Sequence, residues 1–230
     1  MSPRFDMSAA PVPVAELGSV HVLAVGGAGM SAVARLLAAA GVPVSGSDAK
    51  DSEVLRALRA EGIRTVVGHD PAHLRGADTV VVSSAIREDN VELAAARAGG
   101  LRVLHRAQAL ACLLVGRQGM AVAGANGKTT TSAMLAAALV GAGADPSYAI
   151  GGELVDSGTN AHVGAGELFV VEADESDGSF LVYHPQVAVV TNVQPDHLDF
   201  YGTFEAVQEA YAGEAHWDRI AELKECGAIA

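Results

Sequence analysis

The hydrophobic positions of this chain form short apolar runs, and between them apolar residues recur at helical spacing. Val20–Val25 is the first run, and helical spacing follows from Met30 to Ala40. The alternation continues as far as a predicted helix at about Arg106–Leu114, through strands at Val42–Ser45, Ile63–Val67, Thr79–Val82 and Leu101–Leu104 and helices at Ser52–Ala60 and Asn90–Ala98. Strands that alternate with helices predict a parallel sheet with right-handed crossovers.

A second cycle begins after a predicted linker at Gly116–Gly119. It comprises a strand at Met120–Ala123, a helix at Thr129–Ala142 and strands at Leu168–Glu172 and Val187–Thr191. The pattern therefore predicts an α/β protein: a flexible leader over residues 1–18, a Rossmann-like parallel-sheet domain over residues 19–115, and a P-loop-type α/β domain over residues 119–230.

The composition limits the kinds of molecule that the chain is expected to bind. Half of the residues are hydrophobic and 18% are charged, which is enough apolar material for packed cores. A net charge of −12 argues against a nucleic-acid backbone as partner, although phosphates can still be held locally by backbone N–H groups. Cys112 and Cys226 form no disulfide or metal pattern, and no signal peptide or membrane-length apolar run is present, so we expect a reduced, soluble, cytoplasmic protein.

The first candidate motif is Gly27-x-Gly29-x-x-Ala32, with Asp48 about twenty residues further on. Glycines allow a tight turn that brings phosphate to a helix N-terminus, and an acid at the end of the next strand can accept a ribose hydroxyl. Taken alone, the motif favours a dinucleotide such as NAD. A glycine turn that only lets the helix pack closely is the alternative.

The second motif is the stretch from Gly124 to Thr131, between a predicted strand and a predicted helix. A strict Walker A loop would have glycine at Val122, so this loop is shortened. Its backbone would cradle phosphates, Lys128 would reach the β and γ oxygens, and the Thr129 hydroxyl would bind Mg²⁺. The alternative, a glycine turn with an incidental lysine, explains the three threonines poorly.

Two further motifs follow predicted strands. Glu172–Asp177 holds four carboxylates, which repel one another unless a cation lies among them, and Asn192–Asp199 contains His197 between two acids. Each segment alone could be a solvated or structural loop. Because strand ends meet along one edge of a parallel sheet, we expect Glu172 and His197 to join the phosphate loop there.

Together these stretches resemble the Mur ligase family, ATP-dependent amide-forming enzymes of peptidoglycan precursor synthesis, and within it the members that add L-alanine. The resemblance covers residues 20 to 211 through six ordered segments: 21–31, 45–48, 82–86, 124–131, 172–177 and 191–199. It implies ligation of L-alanine to UDP-N-acetylmuramate through an acyl phosphate formed with ATP and Mg²⁺. The first domain would then bind a UDP-sugar instead of NAD.

The resemblance also implies roles for single residues. Lys128, Glu172 and His197 would be catalytic, and Thr129, Glu172 and His197 would hold the metal. ATP phosphates would contact Gly124, Ala125, Asn126, Gly127, Lys128, Thr129 and Thr130. The UDP-sugar would contact Gly27, Ala28, Gly29, Met30, Ser31, Ser47, Asp48, Ser83, Ser84 and Ala85, with Asn160 near the muramyl carboxylate.

The chain departs from the family pattern in two places. Asn126 stands where alanine-adding members commonly have histidine, although sister ligases have asparagine. The pattern also fades from about Gly213, where the family continues through a longer central domain and a third domain, so the ATP-binding domain is predicted to be incomplete. Residues 216–230 could form a short amphipathic helix. A binding module without turnover therefore stays an alternative to the enzyme, and an NAD-dependent oxidoreductase a weaker one.

Overall fold

A computed structural model of the chain describes residues 5, 7, 9–155 and 157–212. It divides at Gly116–Arg117 into two compact units, and the short segment Ala161–Val163 groups with the first. The tail predicted to be helical, residues 216–230, and the second cysteine, Cys226, lie outside the described residues.

The first unit is a five-stranded parallel sheet with the order β3-β2-β1-β4-β5, which is the Rossmann-like arrangement that the sequence predicts. Strands and helices alternate along the chain. In order they are β1 (Val20–Leu23), α1 (Ala28–Ala39), β2 (Val44–Asp48), α2 (Glu53–Ala60), β3 (Arg64–Val67), β4 (Thr79–Val82), α3 (Val91–Ala98), β5 (Arg102–His105) and α4 (Arg106–Leu114).

Burial and capping explain where these elements begin. Every residue of the central strands β1 and β4 is buried, as expected for a parallel sheet covered on both faces. The Ser52 side chain accepts an N–H bond at the start of α2, Asn90 accepts two at the start of α3, and His105 with Gln108 forms a capping box on α4. These polar residues fix the helix starts, and therefore the lengths of the turns that follow each strand.

The second unit is built on a sheet in which β10, β6, β9 and β7 stand side by side and run parallel. Its elements are β6 (Gln118–Ala123), α5 (Lys128–Gly141), β7 (Ser147–Ala149), β9 (Leu168–Glu172), β10 (Val187–Val190), α6 (Leu198–Tyr201) and α7 (Phe204–Ala212). The short strand β8 (Ala161–His162) lies in the segment that groups with the first unit. Because β6 lies between β9 and β10, the segments that follow these three strands emerge at one edge, as the sequence predicts.

The structure differs from the predicted elements mainly where segments are short. A 3-10 helix, Val14–Leu17, lies in the predicted leader, with Leu17 fully buried. β6 begins at Gln118, inside the predicted linker. β7 and β8 span three and two residues, too few for a recognisable period. In the part of the chain that the structure describes, no helix has the length and apolarity to cross a membrane.

Candidate functional site

The first glycine turn joins β1 to α1. The Gly26 N–H donates to Oδ2 of Asp48 at 3.0 Å, so the acid that ends β2 fastens this turn. Gly27 precedes α1 without a side-chain cap and is exposed. Arg106, at the start of α4, lies over the same turn, since a Cβ built on Gly29 would come within 2.5 Å of its Nη1. An exposed helix start beside a guanidinium is a favourable place for a phosphate.

Three residues that the sequence assigned to the UDP-sugar have buried side chains: Met30, Ser31 and Ser47. The Ser31 hydroxyl donates to the Ala28 carbonyl at 3.0 Å, and the Ser47 hydroxyl donates to Oε2 of Glu92 at 2.5 Å. Both hydroxyls are therefore engaged inside the fold. These three residues can therefore contact a ligand through their main-chain groups.

The remaining predicted sugar-site residues lie on turns. Ser83–Ala85 follows β4, and the Ser84 hydroxyl lies 3.0 Å from Nε2 of His105. Asn160 belongs to the second unit, where its carbonyl accepts the Ile150 N–H at 2.9 Å. Ser84 is exposed and Asn160 is half-buried.

A buried polar cluster that the sequence did not reveal lies in the first unit. It is centred on Glu92 of α3, which is 0% exposed. In the tautomers that protonate Nδ1, His69 and His73 donate to its two oxygens at 2.6 and 2.8 Å, and Ser47 donates as well. His21 of β1 is also buried, with Nε2 at 3.7 Å from Oε1.

The charge state of Glu92 follows from these neighbours. Burial by itself raises the pKa of Glu92, but hydrogen bonds from the side chains around it outweigh burial and lower the pKa to about 2. The hydrogen bonds come from Ser47, His69 and His73, and His21, whose Nε2 lies 3.7 Å from Oε1, lowers the pKa in the same direction. Glu92 is therefore an ionised carboxylate in the interior, and it ties α3 to β2 and to the segment after β3. The spacing of His69 and His73, four residues apart, was the available sequence signal.

The phosphate loop joins β6 to α5. Gly124 and Gly127 have φ values of 131° and 84°, a region that side chains disfavour. A Cβ on Gly124 would also collide with the hydroxyl of Thr191. That hydroxyl donates to the Asn126 carbonyl at 2.6 Å, and Asn192 accepts two N–H bonds from the loop through O and Oδ1. The segment after β10 thus holds the loop in shape, a role that sequence reasoning did not assign to it.

Thr129 and Glu172, two of the three predicted metal ligands, are in contact. The Thr129 hydroxyl donates to Oε1 of Glu172 at 2.9 Å. Oε2 accepts from the Ser132 hydroxyl at 3.1 Å and from the Gly151 N–H at 2.8 Å. Within the described ranges, no three His, Cys, Asp or Glu side chains form a metal cluster. A hydroxyl and one carboxylate suit Mg²⁺, which takes a few protein oxygens together with phosphate and water.

Lys128 and His197 meet at a different carboxylate, Glu175. Lys128 Nζ donates to the Gly124 carbonyl at 2.8 Å and to Oε1 of Glu175 at 2.9 Å. Nε2 of His197, the third predicted metal ligand, lies 3.7 Å from the same Oε1. The structure therefore joins Lys128 and His197 through Glu175, an acid that the sequence did not single out, whereas Glu172 contacts Thr129.

The acidic segment after β9 is organised by hydrogen bonds. Oδ1 of Asp174 accepts the Ser176 N–H, and Oδ1 of Asp177 accepts the Ser179 N–H, both at 3.0 Å. The Tyr201 hydroxyl donates to the Glu175 carbonyl at 2.6 Å. Burial and then the nearby acids raise the pKa of Tyr201, so this donor keeps its proton. The acids thus have separate local roles.

Comparison with known proteins places this site in a family. Residues 19–118 match the model for the Mur ligase family, catalytic domain, and residues 122–213 match the Mur ligase middle domain. The chain is 62% identical over 212 residues to the UDP-N-acetylmuramate–L-alanine ligase of Kineococcus radiotolerans. This alignment covers 90% of the present chain and 44% of the Kineococcus protein. The corresponding ligase of a Nocardioides species is 56% identical to the chain. That alignment covers 87% of the present chain and 45% of the Nocardioides protein. The chain therefore spans less than half the length of these relatives.

Solved structures agree. A UDP-N-acetylmuramate–alanine ligase from Thermotoga maritima superposes on the chain with a TM-score of 0.78 at 32% sequence identity. The superposition covers 84% of the present chain and 46% of the Thermotoga protein. A ligase from Neisseria meningitides that joins UDP-N-acetylmuramate to a diaminopimelate-containing tripeptide gives a TM-score of 0.77 at 32% identity, covering 85% and 66%. Both domain matches, the relatives and the shared fold lead to one conclusion: this chain is a member of the Mur ligase family.

Proposed function

We propose that this chain carries the UDP-sugar-binding and ATP-phosphate-binding parts of an enzyme that joins L-alanine to UDP-N-acetylmuramate. The relatives named above are ligases of that specificity, and the chain shares 62% and 56% of aligned residues with two of them. The geometry of the phosphate loop supports the same reaction class, because an ATP-dependent ligase must hold and activate a γ-phosphoryl group.

The first unit would bind the diphosphate of the sugar nucleotide at the turn between β1 and α1. Gly27 and Ala28, at the start of α1, are exposed, and the Arg106 guanidinium lies against Gly29 in the same turn. The Gly27 N–H itself donates to the Ala24 carbonyl at 3.1 Å, so it helps to shape the turn. Asp48 is less free to bind a ribose, because its two oxygens accept the Gly26 and Lys50 N–H groups. We therefore assign Asp48 mainly to shaping the turn, and Arg106 to the diphosphate.

The second unit would bind ATP through the loop between β6 and α5. Lys128 would neutralise the β and γ oxygens, and the Thr129 hydroxyl with the Glu172 carboxylate would hold Mg²⁺ together with His197. When bound, Mg²⁺ would lower the charge on the transferring phosphoryl group. Asn126 and Thr130, on the loop and in the first turn of α5, are exposed and complete the phosphate contacts.

The proposed reaction has two steps. An oxygen of the muramyl carboxylate attacks the γ-phosphorus, ADP leaves, and an acyl phosphate forms. The amine of L-alanine then attacks the acyl carbon, phosphate leaves with the former carboxylate oxygen, and the nitrogen loses a proton to give the amide. For both steps the contribution of the protein is positioning and charge stabilisation, with Asn160 proposed near the muramyl carboxylate.

The observation that carries this proposal is the contact between Thr129, next to Lys128 at the start of α5, and Glu172 at the end of β9. Calorimetric titration with MgATP and with UDP-N-acetylmuramate tests it. Lys128→Ala is expected to weaken ATP binding at least about tenfold, the loss of one charge-assisted contact, while UDP-sugar affinity stays unchanged. Lys50→Ala, a lysine of the first unit, is the matched control and should leave ATP binding intact. Equal loss of both ligands in Lys128→Ala would contradict the assignment.

A further inference from the structure

Glu175 is a buried acid to which the proposed reaction assigns no role. Its side chain is 3% exposed, and Oε1 accepts the Lys128 ammonium at 2.9 Å. Oε2 is buried and has no hydrogen-bond partner among the described residues. The Tyr201 hydroxyl donates to the main-chain carbonyl of Glu175 and fixes the position of the residue. A rigidly held carboxylate with one unsatisfied oxygen depends strongly on its cation.

Lys128 is the cation that contacts Glu175 directly, and Nε2 of His197 lies further away, 3.7 Å from the same oxygen. The ammonium carries three N–H donors, and two of them are engaged, by the Gly124 carbonyl and by Glu175. The Lys128 side chain is 18% exposed, so it lies partly inside the loop. A nucleotide phosphate that enters this loop needs the same ammonium, which the Glu175 carboxylate holds back.

We propose that Glu175 is a positioning residue that competes with nucleotide phosphate for Lys128 and thereby sets the affinity of the loop for the β and γ phosphates. The inference rests on the proposed function, because it assumes that these phosphates occupy the loop. Moving Lys128 fully onto phosphate would leave Glu175 buried without its partner, and that cost lowers the apparent affinity.

A neutral side chain of the same shape separates competition from structural support. Glu175→Gln keeps the volume and an oxygen that can accept from Lys128, but it removes the negative charge. If the ion pair competes with phosphate, the variant binds nucleotide more tightly than the wild type. If the ion pair only supports the loop, the variant binds nucleotide equally or less tightly.

The experiment is a calorimetric titration of the whole chain with ATP, ADP and AMP. We expect Glu175→Gln to bind ATP about threefold to tenfold more tightly, the change for replacing a competing ion pair by a neutral hydrogen bond. AMP, which lacks the β and γ phosphates, should bind equally to both proteins. Asp177→Asn, which changes an acid of the same segment whose Oδ1 accepts the Ser179 N–H, is the matched control.

The ion pair itself is tested without nucleotide. Acetylation of Lys128 by acetic anhydride, followed by mass spectrometry, should be faster in Glu175→Gln than in the wild type, because the amine is held less firmly. Glu175→Asp, whose carboxylate is one methylene further from Lys128, should shift ATP affinity in the same direction and serves if the glutamine variant fails to fold. In a Lys128→Ala background, Glu175→Gln should change ATP affinity by less than twofold or so.

The outcomes separate the two proposals. Wild-type binding of ATP combined with unchanged or weaker binding by both Glu175 variants would overturn this inference and leave the proposed function standing. Unchanged acetylation of Lys128 in Glu175→Gln would also overturn it. Failure of the wild type and every variant to bind ATP would overturn the proposed function, and this inference with it.

Discussion

The buried carboxylate of Glu92 offers a sharp test of the energetics of the first unit. Glu92→Gln keeps the shape of the side chain but replaces an ionised acceptor with an amide. The amide has one acceptor oxygen and a donor NH₂ group. His69, His73 and Ser47 all present donors to this position. The amide NH₂ group would then face at least one of these donors without an acceptor between them, so the substitution should destabilise the fold.

The magnitude follows from the pKa. Hydrogen bonding lowers the pKa of Glu92 from an ordinary value of 4.5 to about 2. A difference of one pKa unit between folded and unfolded chains corresponds to about 1.4 kcal/mol, so the ionised form contributes about 3 kcal/mol. Because the pKa is lowered by folding, this contribution is complete above about pH 4.5 and is lost as the pH falls towards 2.

Hydrogen exchange at neutral and acidic pH can measure this effect. The four tyrosines and the single tryptophan, Trp217, all come after Gly116 in the sequence, so intrinsic fluorescence would not report on the first unit. Peptides from β1 and α3 should instead show an opening free energy about 3 kcal/mol lower in Glu92→Gln at pH 7. The difference should shrink when exchange is measured below pH 4.

The matched control is Glu61→Gln. Glu61 forms a bidentate ion pair with Arg35 on the surface, with N–O distances of 2.7 and 3.0 Å. Such a pair typically contributes at most about 1 kcal/mol. If Glu92→Gln costs no more than Glu61→Gln at pH 7, or if its cost does not decrease in acid, the account of a buried ionised carboxylate is wrong.

Two further predictions concern the second unit. Gly124→Ala should distort the phosphate loop and lower the free energy of unfolding by about 2 kcal/mol or more, because its φ is 131° and the new Cβ meets Thr191. Gly127→Ala should lower it by only about 1 kcal/mol, because there is open space around this residue at φ 84°. Similar urea midpoints for the two variants would refute this. Limited proteolysis should cut the second unit before the first, because the edge strand β10 is partly exposed, with Val187 at 41%, whereas β1 and β4 are buried. Equal resistance of the two units would contradict this ranking.

Local pattern was enough to predict the sheet architecture and the place of the phosphate loop. The apolar runs at Thr79–Val82 and Leu168–Glu172 are strands with the predicted bounds, because a buried parallel strand is continuously apolar. Parallel strand ends then brought Thr129 and Glu172 together without further information. These features could be predicted because each depends on the pattern of a short segment or on the rules of sheet topology.

The contacts between polar side chains could not be predicted in the same way. Glu92 is helical and charged, so its pattern suggests a solvated position, yet donors that lie 19 to 45 residues away in sequence hold it in the core. Among the four acids from Glu172 to Asp177, the sequence singled out Glu172, and the fold was needed to show that Glu175 pairs with Lys128. Long-range partners decide such roles, and spacing along the chain does not encode them.

The most direct test of the central claim is a calorimetric titration of the whole chain with UDP-N-acetylmuramate, with NAD titrated in parallel. The glycine turn after β1, fastened by Asp48 and flanked by Arg106, is the proposed site of the diphosphate. We predict saturable binding of the sugar nucleotide, weakened in Arg106→Ala, and no binding of NAD. Binding of NAD alone would contradict the account.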